Sequence, residues 1–277
     1  MAFRRFAAAL IGLVLWTGAA EAAPQTHAYG EDPRQTLDIY GDDDLTDAPV
    51  LLHVPGGGWA NQDKAMAWSI PRFAGREDIL LAVMDYRAPP DFDAADQAQD
   101  VAMAVAWLKA NAAAHGGDPG RIFVMGHSAG GHLAALIGVD PFYLEAQGLN
   151  LSDLAGVILL DGAAYDAALQ ADYLKSVYGS ENASAHIFGP DISVFTPADR
   201  VRPDMGTPPF LILYVSQRGY GIRQVHALEA AFDAARVDYE TAAVRDSDHV
   251  RIAYEFGEPG SPAGRAAARF IRKHSGR

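Results

Sequence analysis

The sequence predicts an α/β domain with a mostly parallel central sheet and helices on both faces. Short apolar runs of strand length alternate with helical stretches along most of the chain. The runs at 49–54, 122–125 and 154–160 are apolar almost throughout, as strands covered on both faces should be. Glycine-rich or acidic turn signals follow strand after strand, so the loops that could do chemistry gather at one edge.

In order, residues 35–40 alternate in the manner of a strand and 41–44 read as a turn. A strand at 49–54 runs into Pro55-Gly56-Gly57-Gly58-Trp59, and another at 78–84 closes on Asp85-Tyr86-Arg87-Ala88-Pro89. Val101, Ala104, Val105 and Leu108 give residues 94–114 helical spacing, and Gly116-Gly117 stops that helix. Strand 122–125 then enters Gly126-His127-Ser128-Ala129-Gly130, followed by the helix-forming run 132–137. Strand 154–160 stops at Asp161-Gly162. Residues 163–207 are loosely patterned, with scattered aromatics, and read as a small cap-like insertion or a surface excursion. Strand 209–215, helix 223–235, strand 239–244 and helix 262–274 complete the chain, with His249 in the loop after the last strand.

Residues 1–22 are expected to lie outside this domain. Arg4 and Arg5 form a basic start, residues 7–15 an apolar core, and Ala20-Glu21-Ala22 a cleavage pattern, with Ala23 as an alternative end. That is a secretory signal peptide, leaving a single domain over 23–277 with no membrane span and a secreted or periplasmic location. Its removal takes away two arginines and one glutamate, so the net charge goes from −13 to −14. Such an acidic chain is a poor partner for nucleic acid. The sequence has no cysteine, which excludes disulfides, thiolate metal sites and a cysteine nucleophile. No metal or cofactor is expected, and the oligomeric state is open.

The chemistry centres on Ser128. A G-x-S-x-G pattern between a strand and a helix holds a serine hydroxyl at the top of a sheet, with the next amide, that of Ala129, facing the same space. A serine needs a base within hydrogen-bond reach. Among nine histidines, His249 alone lies in a loop just beyond the last strand and downstream of the serine; His127 and His132 are read as pointing away. Gly56, Gly57 and Gly58 can offer consecutive backbone N–H groups to a developing oxyanion, with Ala129 as another donor, each worth about 3 kcal/mol. The glycine loop lacks the Gly-Lys-Ser/Thr ending of a phosphate cradle.

These motifs resemble those of α/β-hydrolases, in particular the hormone-sensitive-lipase-like bacterial esterases. Residues 55–59 resemble the family's His-Gly-Gly-Gly-Trp loop, 85–89 its Tyr-Arg-Leu-Ala-Pro stretch, 117–130 its approach to the nucleophile, and Asp248-His249 with Gly257 its histidine loop. The resemblance implies an α/β-hydrolase fold and a carboxylesterase acting through an acyl-enzyme on a small ester. Ser128 is then the nucleophile, His249 the base, and Gly57, Gly58 and Ala129 the oxyanion donors. Pro55 replaces the family's histidine, so the loop must be anchored differently. The family's acid follows the strand ending at Val215, yet residues 216–223 hold no carboxylate. Asp161, capping the neighbouring strand, is the first choice; Asp166, Asp246 and Asp248 are alternatives, and Asp161 also reads as a plain turn residue. Two other functions stay open: a small-amide hydrolase of arylformamidase type, and a non-catalytic binding protein on a degenerate hydrolase fold.

Overall fold

The computed structural model describes residues 23–42, 44–179, 185–188 and 192–276. The signal-peptide reading of 1–22 falls outside the described residues. Eight strands form one sheet: β1 (Gln25–Ala28), β2 (Thr36–Tyr40), β3 (Ala48–Val54), β4 (Leu80–Met84), β5 (Gly117–His127), β6 (Leu154–Leu160), β7 (Phe210–Val215) and β8 (Tyr239–Val244). Their spatial order is β1-β2-β4-β3-β5-β6-β7-β8. The β1–β2 and β2–β4 pairs are antiparallel and all the others parallel. This is the mostly parallel sheet of an α/β-hydrolase fold.

Nine α-helices accompany the sheet among the described residues: α1 (Ile70–Arg76), α2 (Ala94–Asn111), α3 (Ala129–Val139), α4 (Pro141–Glu145), α5 (Ala167–Tyr178), α6 (Ala185–Phe188), α7 (Gly219–Ala235), α8 (Arg251–Tyr254) and α9 (Pro262–His274). Alternate residues along β3 divide between two cores. Val50, Leu52 and Val54 pack with Val101 and Val105 of α2, Leu133 and Leu136 of α3, and Phe232 of α7. Leu51 packs on the other face with Phe73 of α1, Phe270 and Ile271 of α9 and Ile252 of α8. No helix among the described residues is long and apolar enough to cross a membrane.

The sequence reading and the structure differ at several ends. Strand β5 begins at Gly117, five residues before the apolar run, because Gly117 pairs with Ala48 across a register shift. Strand β1 escaped the reading because it is an exposed edge with no apolar face. Helix α7 begins at Gly219 rather than 223, since two glycines in its first turn mask the pattern. The insertion contains α5, α6 and two 3₁₀ turns. Phe188 of α6 lies on Trp59 with ring centroids 5.0 Å apart, so this segment covers the glycine loop.

The chain passes from β3 outward to β4 and returns to the other side of β3 as β5. The order of the sheet reverses there, and the loops after β3 and β5 meet at their carboxyl ends. A buried ion pair braces this edge from behind. Asp100 of α2, fully buried, accepts from Arg87 Nη2 at 2.7 Å, from the Arg87 backbone at 2.8 Å and from Gln35 Nε2 at 2.7 Å. The pair joins the start of β2, the end of β4 and α2, next to Tyr86. Removing one partner of such a pair strands the other charge. Asp100→Ala should therefore lower the unfolding free energy by about 3 kcal/mol in urea titrations; an unchanged midpoint would show that Arg87 finds another partner.

Candidate active site

The turn between β5 and α3 is tighter than a helix cap requires. A Cβ on Gly126 would lie 2.0 Å from the carbonyl oxygen of Gly130, and one on Gly130 would lie 2.1 Å from that of Val54. Both glycines are there because backbones touch. The left-handed φ falls on Ser128 itself, at 55° with ψ −119°, a strained conformation for a residue with a side chain. The strain lifts the hydroxyl off the sheet. Ala129 is the first residue of α3, so its N–H has no acceptor within the helix.

His249 follows β8 and turns back over this serine. Its Nε2 lies 2.8 Å from Ser128 Oγ and its Nδ1 lies 2.6 Å from Asp161 Oδ2. With Nδ1–H donating to the carboxylate, Nε2 is free to accept from the hydroxyl. Asp161 stands at the end of β6, its side chain almost wholly buried. Its Oδ1 accepts from the backbone N–H of Val215 at 3.0 Å, and its Oδ2 also accepts from Arg218 Nη1 at 2.9 Å. Burial pushes the Asp161 carboxyl up, but the His249 hydrogen bond, the Arg218 charge and the Val215 N–H outweigh it and hold the group below the usual carboxylate range.

The structure thus brings Ser128, His249 and Asp161 together. Two of the other three carboxylates are engaged elsewhere: Asp166 caps α5 through the N–H of Leu169, and Asp248 accepts from the N–H groups of Val250 and Arg251. Asp246 accepts from Arg251 through its backbone carbonyl.

The glycine loop faces the serine turn. A Cβ on Gly56 would meet the Cβ of Ser128 at 3.0 Å. Gly57 has φ 130°, and a side chain there would strike the backbone of Asn61 at 2.5 Å. Gly58, with φ 62°, faces open space. Tyr86 supplies the anchor that Pro55 does not: its buried hydroxyl donates to the Pro55 carbonyl at 2.9 Å. Gln97 donates to the carbonyl of Trp59 at 2.6 Å, and the Trp59 indole donates to His132 Nδ1 at 3.2 Å. His132 Nε2–H in turn donates to the Phe195 carbonyl at 2.7 Å, which fixes its tautomer.

The His132 ring, turned toward Trp59 and Phe195, ties the glycine loop to the insertion. One sequence expectation needs correction here: His127 does not point away from the site. Its ring lies 4.9 Å from that of His249, and its Nε2–H donates to the His249 carbonyl at 2.7 Å. Tyr86, Gln97 and Arg218 were given no role by the sequence reading. No motif marks them, although Tyr86 lay inside the resembling stretch 85–89.

Burial lowers three histidines of this region: His53 to about 3, and His127 and His132 to about 4. A histidine depressed in the folded state contributes stability that is complete above its unfolded value of about 6.5 and is lost as pH falls through the folded value. Urea unfolding should therefore show stability dropping between pH ~6.5 and ~4, the upper part of that window lying above the range where ordinary carboxylates titrate. A flat profile across that window would contradict neutral burial of these rings.

The family model described as BD-FAE matches residues 37–150. Esterase LipC of Mycobacterium tuberculosis is 33% identical over 205 residues, which is 68% of this chain and 49% of that protein. Isoprenylcysteine alpha-carbonyl methylesterase ICME of Arabidopsis thaliana is 35% identical over 127 residues, 45% of this chain and 29% of that protein. The chain spans half or less of the length of these curated relatives. Among solved structures, esterase B of Lactobacillus rhamnosis superposes with a TM-score of 0.76 at 23% identity, covering 92% of this chain and 87% of that one. A carbohydrate esterase from gut microbiota gives 0.75 at 19% identity, covering 94% and 99%. The chain thus has the α/β-hydrolase fold and is homologous over part of its length to esterases such as LipC.

Proposed function

We propose that this protein is a serine carboxylesterase, exported by the leader in residues 1–22, that cleaves small, short-chain esters through an acyl-enzyme. The observation that carries the reading is the continuous hydrogen-bond relay from Ser128 Oγ to His249 Nε2, and from His249 Nδ1 to Asp161 Oδ2. In this reading Ser128 Oγ attacks the ester carbonyl carbon while His249 Nε2 takes its proton. Asp161 holds the tautomer and stabilises the imidazolium. The N–H groups of Gly57, Gly58 and Ala129 receive the oxyanion. His249 then gives its proton to the leaving alkoxide, and water, activated by the same ring, releases the acyl group. About a third of the His249 side chain is exposed, which leaves water a direct approach.

The named relatives support ester chemistry: LipC and ICME are both called esterases. Nothing in the geometry favours a small amide over an ester. The motive for a degenerate binding fold was a missing acid, and Asp161 beside His249 weakens it.

Two variants test the assignment together. Ser128→Ala should lose covalent labelling by a fluorophosphonate and several orders of magnitude of p-nitrophenyl ester turnover, with the fold intact. Asp161→Asn should keep labelling but lose at least about a hundredfold in kcat with little change in KM, against about 10⁴ for the corresponding change in a serine protease. Labelling that persists on another serine, or full turnover without the Asp161 carboxylate, would overturn these roles.

A further inference from the structure

We infer that Arg218 is a positioning residue for the reaction proposed above, holding the Asp161 carboxylate and setting the pH at which the Asp161–His249 pair takes up a proton. The inference deepens the esterase reading and rests on it.

Arg218 stands in the segment after β7 where the resembling family keeps its acid, so a cation occupies the region from which the carboxylate is missing. Its Nη1 donates to Asp161 Oδ2 at 2.9 Å, the same oxygen that accepts from His249 Nδ1 at 2.6 Å. One carboxylate oxygen therefore serves both a permanent cation and the catalytic ring. The guanidinium is itself held in place. It lies 5.4 Å from the centre of the Tyr220 ring, and Tyr220 is fixed by Gln224, which donates to its hydroxyl at 2.8 Å, and by its own hydroxyl donating to Gln170. Tyr173 stacks on that ring with centroids 4.2 Å apart. Gly221 leaves room for the pair, since a Cβ there would stand 3.3 Å from Arg218 Nη1 and 3.5 Å from Asp161 Oδ1.

The consequence is electrostatic. A buried carboxylate with one cation beside it is close to neutral as a pair, so it draws a proton onto the neighbouring ring less strongly than a bare carboxylate does. Protons on Asp161 and His249 are coupled and belong to the pair. Whichever atom receives the proton, removal of the Arg218 charge makes uptake easier, so the acid limb of activity must move to higher pH. The other groups that act electrostatically on the pair or on Arg218 are His127 at the end of β5, Tyr165 after β6, Tyr220 on α7, and Asp248 of the histidine loop, itself beside Arg251 of α8. His127 is buried and lowered to about 4, Tyr165 and Tyr220 are pushed up, and Asp248 is lowered. None of them changes charge between about pH 5 and 8 in a way that would mimic the effect.

The test uses the chain's lack of cysteine. Arg218→Cys can be capped on the folded protein with an aminoethyl thiosulfonate, which restores a cation, or with a methyl thiosulfonate, which does not. The two products share one polypeptide, so a folding defect cannot separate them. Arg218→Gln and Arg218→Lys provide the same comparison genetically. The acid limb of kcat/KM for p-nitrophenyl acetate should lie about one pH unit higher in Arg218→Gln and in the neutral-capped protein. It should return to the wild-type position in Arg218→Lys and in the cation-capped protein. An NMR titration of the His249 ring should show the same displacement without any turnover. Equal limbs and equal titrations for neutral and cationic caps would overturn the assignment, whereas a wild-type protein that neither turns over ester nor labels at Ser128 would overturn the esterase reading instead.

Discussion

A buried carboxylate is costly to keep charged, and the edge of the sheet is built to hold Asp161 in that state. Removing a carboxylate from water is expensive unless donors replace the lost hydration. Asp161 receives three: the Val215 amide from the neighbouring strand, the Arg218 guanidinium and the His249 ring. These come from the end of β7, the start of α7 and the loop after β8. One carboxylate thereby fixes three separate segments relative to β6. Its own backbone is bent to reach them, with a φ of 44°.

The second constraint is steric. The turns after β3 and β5 approach so closely that Gly130 lies under the carbonyl of Val54 and Gly56 against Ser128. Side chains are excluded at these glycines, and both turns also carry a left-handed residue with a side chain, Trp59 at φ 63° and Ser128 at φ 55°. The proposed oxyanion donors are held by polar side chains behind the loop. Tyr86 takes the Pro55 carbonyl, Gln97 that of Trp59, and His132 links Trp59 to the insertion. Arg87 and Asp100 support Tyr86 from the next layer. The site is thus a set of loops clamped by buried hydrogen bonds.

How legible was this in the sequence? The parallel strands were, because β3, β5 and β6 are apolar on both faces and sharply bounded. Ser128 and His249 were placed by local pattern and chain order. Edge strand β1 was not visible, since it is largely exposed and its residues carry no alternation of apolar side chains. Asp161 could be nominated but not chosen, because its partners lie 54 to 88 residues away in sequence. Arg218 was noticed only as the residue standing where an acid was sought. His127 was read as pointing away, yet the loop carrying His249 folds back over the end of β5 and brings the two rings together. Contacts made by returning loops are what one sequence, read locally, does not carry.

The account turns on whether Asp161, and not another carboxylate, holds the His249 ring. The most direct measurement is the proton spectrum of the folded protein at acid pH, where a hydrogen bond between a buried carboxylate and an imidazolium Nδ1–H gives a far-downfield resonance. That resonance should be present in the wild type, be assigned to His249 by ¹⁵N labelling, and vanish in Asp161→Asn while surviving in Asp246→Asn and Asp248→Asn. Its persistence in Asp161→Asn would contradict the account.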